Sequence, residues 1–113
     1  MRVHALVLCA VVFACACGGS DTRSAADLRA CVAKRLPPGE VDRSTVSTVE
    51  GVTTIVYPHG GAETVVTVFP SVEEAVHGLE EEARLGDAHD RRTRNVLHGG
   101  GGAAEDAVVA CLR

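Results

Sequence analysis

The 113 residues suffice for one domain, and 15 acidic against 11 basic side chains (formal net charge −4) give a surface that repels nucleic acid and anionic lipid. One Tyr, two Phe and no Trp leave almost no platform on which bases or sugars could stack. Five cysteines in so short a chain demand a redox compartment and a fate for each.

Residues 3–16 (VHALVLCAVVFACA) are apolar apart from His4 and follow a single charge, Arg2. A basic start, an apolar core and small residues at its end predict a secretory signal peptide over 1–16. The run is too short to span a bilayer, which takes about 20 residues. The alternative is a buried N-terminal element of a cytosolic protein, opposed by the abrupt change of composition at Gly18. Removing residues 1–16 takes away only Arg2 among the charged side chains, so the remainder is more acidic still.

Ala14-Cys15-Ala16 fits the small-x-small pattern of ordinary signal peptidase, and Ala14-Cys15-Ala16-Cys17-Gly18-Gly19-Ser20 resembles a bacterial lipobox. Both rules cut between Ala16 and Cys17. The lipobox reading makes Cys17 the acceptor of a diacylglyceryl thioether. Ala14 stands where a larger aliphatic residue is usual, and Cys15 is a rival acceptor. The small, polar run GGSDTRS favours Cys17, because an anchored cysteine needs a flexible tether, here 17–23, before a folded body. The expected address is the extracytoplasmic face of the cell membrane. Of Cys17, Cys31 and Cys111, lipidation removes the first and leaves a pair for a disulfide, since secretion would place both in an oxidising space.

The body over 24–113 reads as a single small α+β domain. Ser24 caps a helix with Asp27 in its first turn, and Leu28, Cys31, Val32 and Leu36 follow at helical spacing until Pro37-Pro38-Gly39 ends it. Residues 40–50 are harder to read: Val41 could open a short strand, and Thr45–Val49 is β-prone. Val52–Tyr57 and Glu63–Phe69 are strands joined by the turn Pro58-His59-Gly60-Gly61-Ala62. Pairing about Gly60-Gly61 puts Ile55, Tyr57, Val66 and Val68 on one face and Val52, Val56, Val65 and Phe69 on the other. Both faces are apolar, so either helices cover both or one face awaits a partner.

Ser71-Val72-Glu73-Glu74 is a capping box opening a helix lined by Val72, Val76, Leu79 and Ala83 and ended by Gly86. Residues 87–94 (DAHDRRTR) read as a charged loop, Asn95–His98 as a short strand, and Gly99–Gly102 as a hinge or turn. Strand, helix, strand over 63–98 suggests a right-handed crossover. Ala104, Ala107, Val108, Cys111 and Leu112 then mark the strongest helical periodicity in the chain. The expected order is α-(β)-β-β-α-β-α, a small, mainly antiparallel sheet packed by helices. Cys31 and Cys111 each lie on the apolar line of a terminal helix, which predicts a disulfide between them. A lipobox before a compact helix-and-sheet body with one cysteine near each end resembles small bacterial lipoproteins of actinobacterial type. The resemblance implies an address and a fold class, and no activity.

Site signals are sparse. Gly99-Gly100-Gly101-Gly102-Ala103-Ala104 matches the dinucleotide fingerprint G-x-G-x-x-G/A. However, the second acid-bearing strand that this motif needs cannot fit in the nine residues after Ala104, and Glu105 and Asp106 would repel an anion. His59, His77, His89 and His98 show neither H-x-x-x-H nor a companion C-x-x-C, so no metal and no cofactor is expected. His59 and His98 could still converge at a sheet end. Glu73, Glu74, Glu80, Glu81 and Glu82 read as the wet face of their helix, Ser71 as its cap, and His89-Asp90 as a loop dipeptide. The expected function is a membrane-tethered, non-catalytic binding or structural domain, with an envelope protein partner on an exposed sheet face. The alternative is a small extracytoplasmic enzyme or metal-binding protein using His59, His98 and the Gly99–Gly102 loop.

Overall fold

A computed structural model describes residues 21–86 and 90–113. Its elements are α1 (Ala25–Ala33), α2 (Pro38–Asp42), β1 (Thr45–Val49), β2 (Val52–His59), β3 (Ala62–Val68), α3 (Val72–Arg84), β4 (Arg91–Thr93), β5 (Val96–Gly99) and α4 (Gly102–Leu112). The fold is α+β. Its five strands lie in the order β1-β2-β3-β5-β4, each antiparallel to its neighbours. Cys15, Cys17 and His89 lie outside the described residues.

The helix ends follow the chemistry of their caps. Ser24 Oγ accepts from the amide of Asp27 at 3.0 Å, and Ser71 Oγ from that of Glu74 at 3.1 Å. Leu28 and Val32 of α1 and Ala104, Ala107, Val108 and Leu112 of α4 are buried against the inner face of the sheet. That face is Ile55, Tyr57, Val66, Val68 and Val96, the partition set by the alternation of β2 and β3 about their turn. Each such Val, Leu or Ile side chain contributes about 1.5–3 kcal/mol on burial. Cys31 and Cys111 join α1 to α4 through a disulfide with Cα atoms 6.0 Å apart. The expected pairing is therefore present.

The outer face is covered on one side only. Leu97 pairs with Thr67, so it points outward, yet it is buried, as is Ala75 on α3, which packs over β5 and β4. Gly78 of α3 sits against the Phe69 ring; a Cβ there would lie 2.7 Å from Cζ. On the other side Val52, Val56 and Val65 stay half-buried, and Val49 is 67% exposed. α3 therefore covers the outer face over β5 and β4 and leaves it part-exposed over β1 and β2.

Four expectations need correction. Val41 lies in the short helix α2, where Pro38 supplies a preset first turn, rather than in a strand. Along α3 the fully buried residue is Ala75, while Ala83 is exposed. Arg91–Thr93, read as loop, forms β4, and a two-residue turn at Arg94 (φ 57°) and Asn95 returns it to β5. That hairpin reverses the chain, so β5 runs antiparallel to β3 and the right-handed crossover is absent. Asn95 then ties the turn down: its Oδ1 accepts from the amide of Arg23 at 2.8 Å, and its Nδ2 donates to the carbonyls of Arg23 and Phe69.

Candidate functional site

Polar side chains gather at one end of the inner face, where the sheet meets the N-terminus of α4. Strand alternation turns His59 (β2), Thr64 (β3), His98 (β5) and Thr93 (β4) inward there, and the glycine run passes over them. Of the hinge and the turn that the sequence allowed, the run is a fitted turn. Gly100 has φ +117°, and a Cβ on it would collide with the carbonyl oxygen of Glu63 and lie 2.7 Å from Thr64 Cα. Gly102 lies against the His59 ring, where a Cβ would be 3.2 Å from Cε1.

A chain of hydrogen bonds runs through the cluster. Thr64 Oγ1 donates to the Gly101 carbonyl at 2.9 Å. Its single proton is thereby committed, so the 3.0 Å contact with His59 Nε2 has the imidazole as donor. The Gly101 amide donates to Glu105 Oε1 at 2.8 Å, and Glu105 Oε2 accepts from His98 Nδ1 at 2.7 Å. His98 Nε2 meets Thr93 Oγ1 at 2.9 Å. His98 and Glu105 are both buried, at 2% and 5% exposure. Burial pushes the Glu105 carboxyl up, but hydrogen bonds from His98 and Gly101, with the charges of His98 and Arg91, outweigh it and hold the group below its usual 4.5.

This arrangement fixes what the cluster can do. The α4 N-terminus, where a dinucleotide phosphate would sit, holds the carboxylate of Glu105 instead. His59 and His98 border the same glycine run but keep separate partners, linked through Thr64, Gly101 and Glu105. Among the described residues no group of three or more His, Cys, Asp or Glu could hold a metal ion, and no buried side-chain N or O lacks a hydrogen-bond partner. His59 is half-buried and borders an open hollow with Arg43, Gly60, Gly61 and Glu63.

The other candidate groups lie on the surface. His77, Glu73, Glu74 and Glu80 are exposed; Glu81 pairs with Arg84 at 2.6 Å; Ser71 serves as the α3 cap. No helix among the described residues is long and apolar enough to cross a membrane.

The role of Glu105 was missed from the sequence. Its signal was available, because Glu105, Val108 and Leu112 share one line of α4, and a carboxylate on a buried line needs a partner. The chain matches no protein-family model, no curated protein and no solved structure.

Proposed function

We propose that this chain is a bacterial envelope lipoprotein, tethered through Cys17 to the extracytoplasmic face of the cell membrane, and that its body is a binding or structural domain rather than an enzyme. The observation that carries the non-catalytic reading is the closure of the polar cluster. Both ring nitrogens of His98 and both carboxylate oxygens of Glu105 are engaged inside the protein. A general base or nucleophile must instead reach substrate. The half-covered outer face, with Val49, Val52 and Val56, offers apolar area to an envelope protein partner. A disulfide joining α1 to α4 accords with an oxidising space.

The test has two arms. The full chain is expressed in a bacterium and partitioned with detergent. Wild type enters the detergent phase with the mass of an acylated form cut before Cys17, Cys15→Ser behaves alike, and Cys17→Ser stays aqueous. Equal masses and aqueous partition of wild type and Cys17→Ser would refute the anchor. For the body, calorimetry with zinc or nickel gives no submicromolar binding; such binding would replace the proposal with the metal-binding alternative at His59 and His98.

A further inference from the structure

The two edges of the sheet are built differently. β4 is three residues long and carries Arg91 and Arg92, the short, charged design that discourages pairing with another strand. β1 (TVSTV) has five residues, no charge, no proline and no glycine, and all five are exposed, Val46 to 41% and Val49 to 67%. Its backbone polarity follows from the turn that joins it to β2. Glu50 (φ 51°) and Gly51 (φ 82°) form a two-residue loop of type I′ character, which makes Val49↔Val52 a hydrogen-bonded pair. Alternation then makes Ser47↔Thr54 and Thr45↔Val56 hydrogen-bonded too. Val46 and Thr48 are left with their N–H and C=O groups turned away from β2, along the open edge.

We propose that this edge pairs with β1 of a second copy of the chain, antiparallel about a two-fold axis at Ser47. In that register Val46 lies opposite the partner's Thr48 and Thr48 opposite the partner's Val46, so all the outward donors and acceptors meet. Ser47 faces the partner's Ser47 as a non-hydrogen-bonded pair. Charge selects the same direction. Arg43 precedes the strand and Glu50 follows it, both exposed. Antiparallel pairing brings the Arg43 end of one copy beside the Glu50 end of the other at both ends of the ladder, whereas parallel pairing sets like charges together.

The result is a continuous ten-stranded sheet whose edges are the two arginine-bearing β4 strands. Pairing one short strand buries less than the roughly 800 Å² per partner of a standard interface, so association in dilute solution is weak. The inference does not depend on lipid anchoring, although confinement to a membrane would strengthen it.

Disulfide trapping tests the register. Opposed residues of a non-hydrogen-bonded antiparallel pair have Cα atoms about 4.5 Å apart, which a disulfide can span. The full chain carrying Ser47→Cys, purified in detergent and mildly oxidised, gives a reducible dimer whose mass spectrum contains the peptide joined to itself at position 47. Thr45→Cys and Val49→Cys alone give at least fivefold less dimer, and a mixture of the two cross-links one to the other.

Thr48→Pro removes one outward amide and leaves the backbone bonds to β2 in place, losing only the Thr48–Thr53 hydroxyl contact on that side. It abolishes trapping by Ser47→Cys while the thermal midpoint shows that the domain still folds, and Thr48→Val, which loses the same hydroxyl but keeps the amide, still traps. Arg43→Glu weakens trapping, and Arg43→Glu with Glu50→Arg restores it. A Ser47→Cys chain that stays monomeric, that cross-links no better than Thr45→Cys, or that is captured by a different polypeptide would overturn the proposal. The detergent partition of the same samples reports on the anchor separately.

Discussion

The two faces of this sheet are finished by different means. On the inner face, two helices from opposite ends of the chain are bonded to each other, and the one polar end is closed by the His98–Glu105 pair under a fitted glycine loop. On the outer face a single helix lies over β5 and β4 and leaves the β1–β2 side partly bare. A small body with few aromatic residues has limited apolar area to bury. Here the inner face is reinforced by a covalent tie and by buried polar pairing, and among the described residues the outer face carries no disulfide. Perturbations should therefore separate by face.

The largest effect is expected from the covalent tie. The disulfide closes a loop spanning 80 positions, for which chain entropy gives about 4.5 kcal/mol. Cys31→Ser with Cys111→Ser should lower the urea midpoint by a corresponding amount, and reduction of the wild type should reproduce it. Two free thiols in the protein purified from the cells that express it would remove the tie from the comparison altogether.

Next comes the glycine loop. Gly100→Ala forces a methyl group onto the backbone of β3 at a left-handed φ and should cost about 3 kcal/mol. Gly101→Ala meets no atom within 4 Å, so its cost is backbone strain alone, about 2 kcal/mol, because φ +69° with ψ −169° lies in a region that little but glycine adopts. Thermal midpoints of the pair distinguish a fitted loop from a hinge, because a hinge would accept both substitutions alike.

What the sequence revealed and what it concealed does not divide by face. The helix caps and the apolar part of the inner face were legible, because local rules agree there: Ser24 and Ser71 cap helices, Cys31 and Cys111 share apolar lines, and the turn at Gly60-Gly61 assigns Ile55, Tyr57, Val66 and Val68 to one side. β4 was concealed, because Arg91-Arg92-Thr93 has no apolar alternation and pairs only through the turn at Arg94. Missing that strand also reversed the expected direction of β5. The His98–Glu105 contact spans the glycine run, and no spacing rule gives the path of four glycines. Gly100 reads as freedom in the sequence; its fitted place beside Glu63 and Thr64 exists only in three dimensions.

Glu105 supplies the third effect. Glu105→Ala strands the His98 Nδ1 and Gly101 N–H donors and should cost about 2 kcal/mol at neutral pH. The sign of the pH dependence follows from the lowered carboxyl. A group that holds its proton less tightly when folded stabilises the fold above the unfolded carboxylate range, and this contribution is lost as pH falls through the folded value. The stability difference between wild type and Glu105→Gln should therefore be largest at neutral pH and shrink toward acid. Urea titrations on both sides of the usual 4.5 measure it, and a difference that grew toward acid would contradict the ionised pairing.

The smallest effect belongs to the outer face, and it defines the contrast most sharply. Val49→Thr and Val56→Thr keep the β-branched shape, so strand propensity is nearly conserved. Each hydroxyl can reach water, since Val49 is 67% exposed and Val56 only half-buried. The cost should stay below about 1 kcal/mol, near zero for Val49. The same change at Val66 or Val96, both fully buried on the inner face, places a hydroxyl among aliphatic side chains. It should cost about 1–3 kcal/mol unless the hydroxyl finds a backbone acceptor. Denaturation at low protein concentration with unchanged m-values compares the four variants directly. Equal losses on the two faces would mean that Val49 and Val56 are covered in solution. A loss at Val49 that appears only as concentration rises would locate that cover at the β1 edge, because a surface buried by association is stabilised by mass action whereas a surface buried by folding is not.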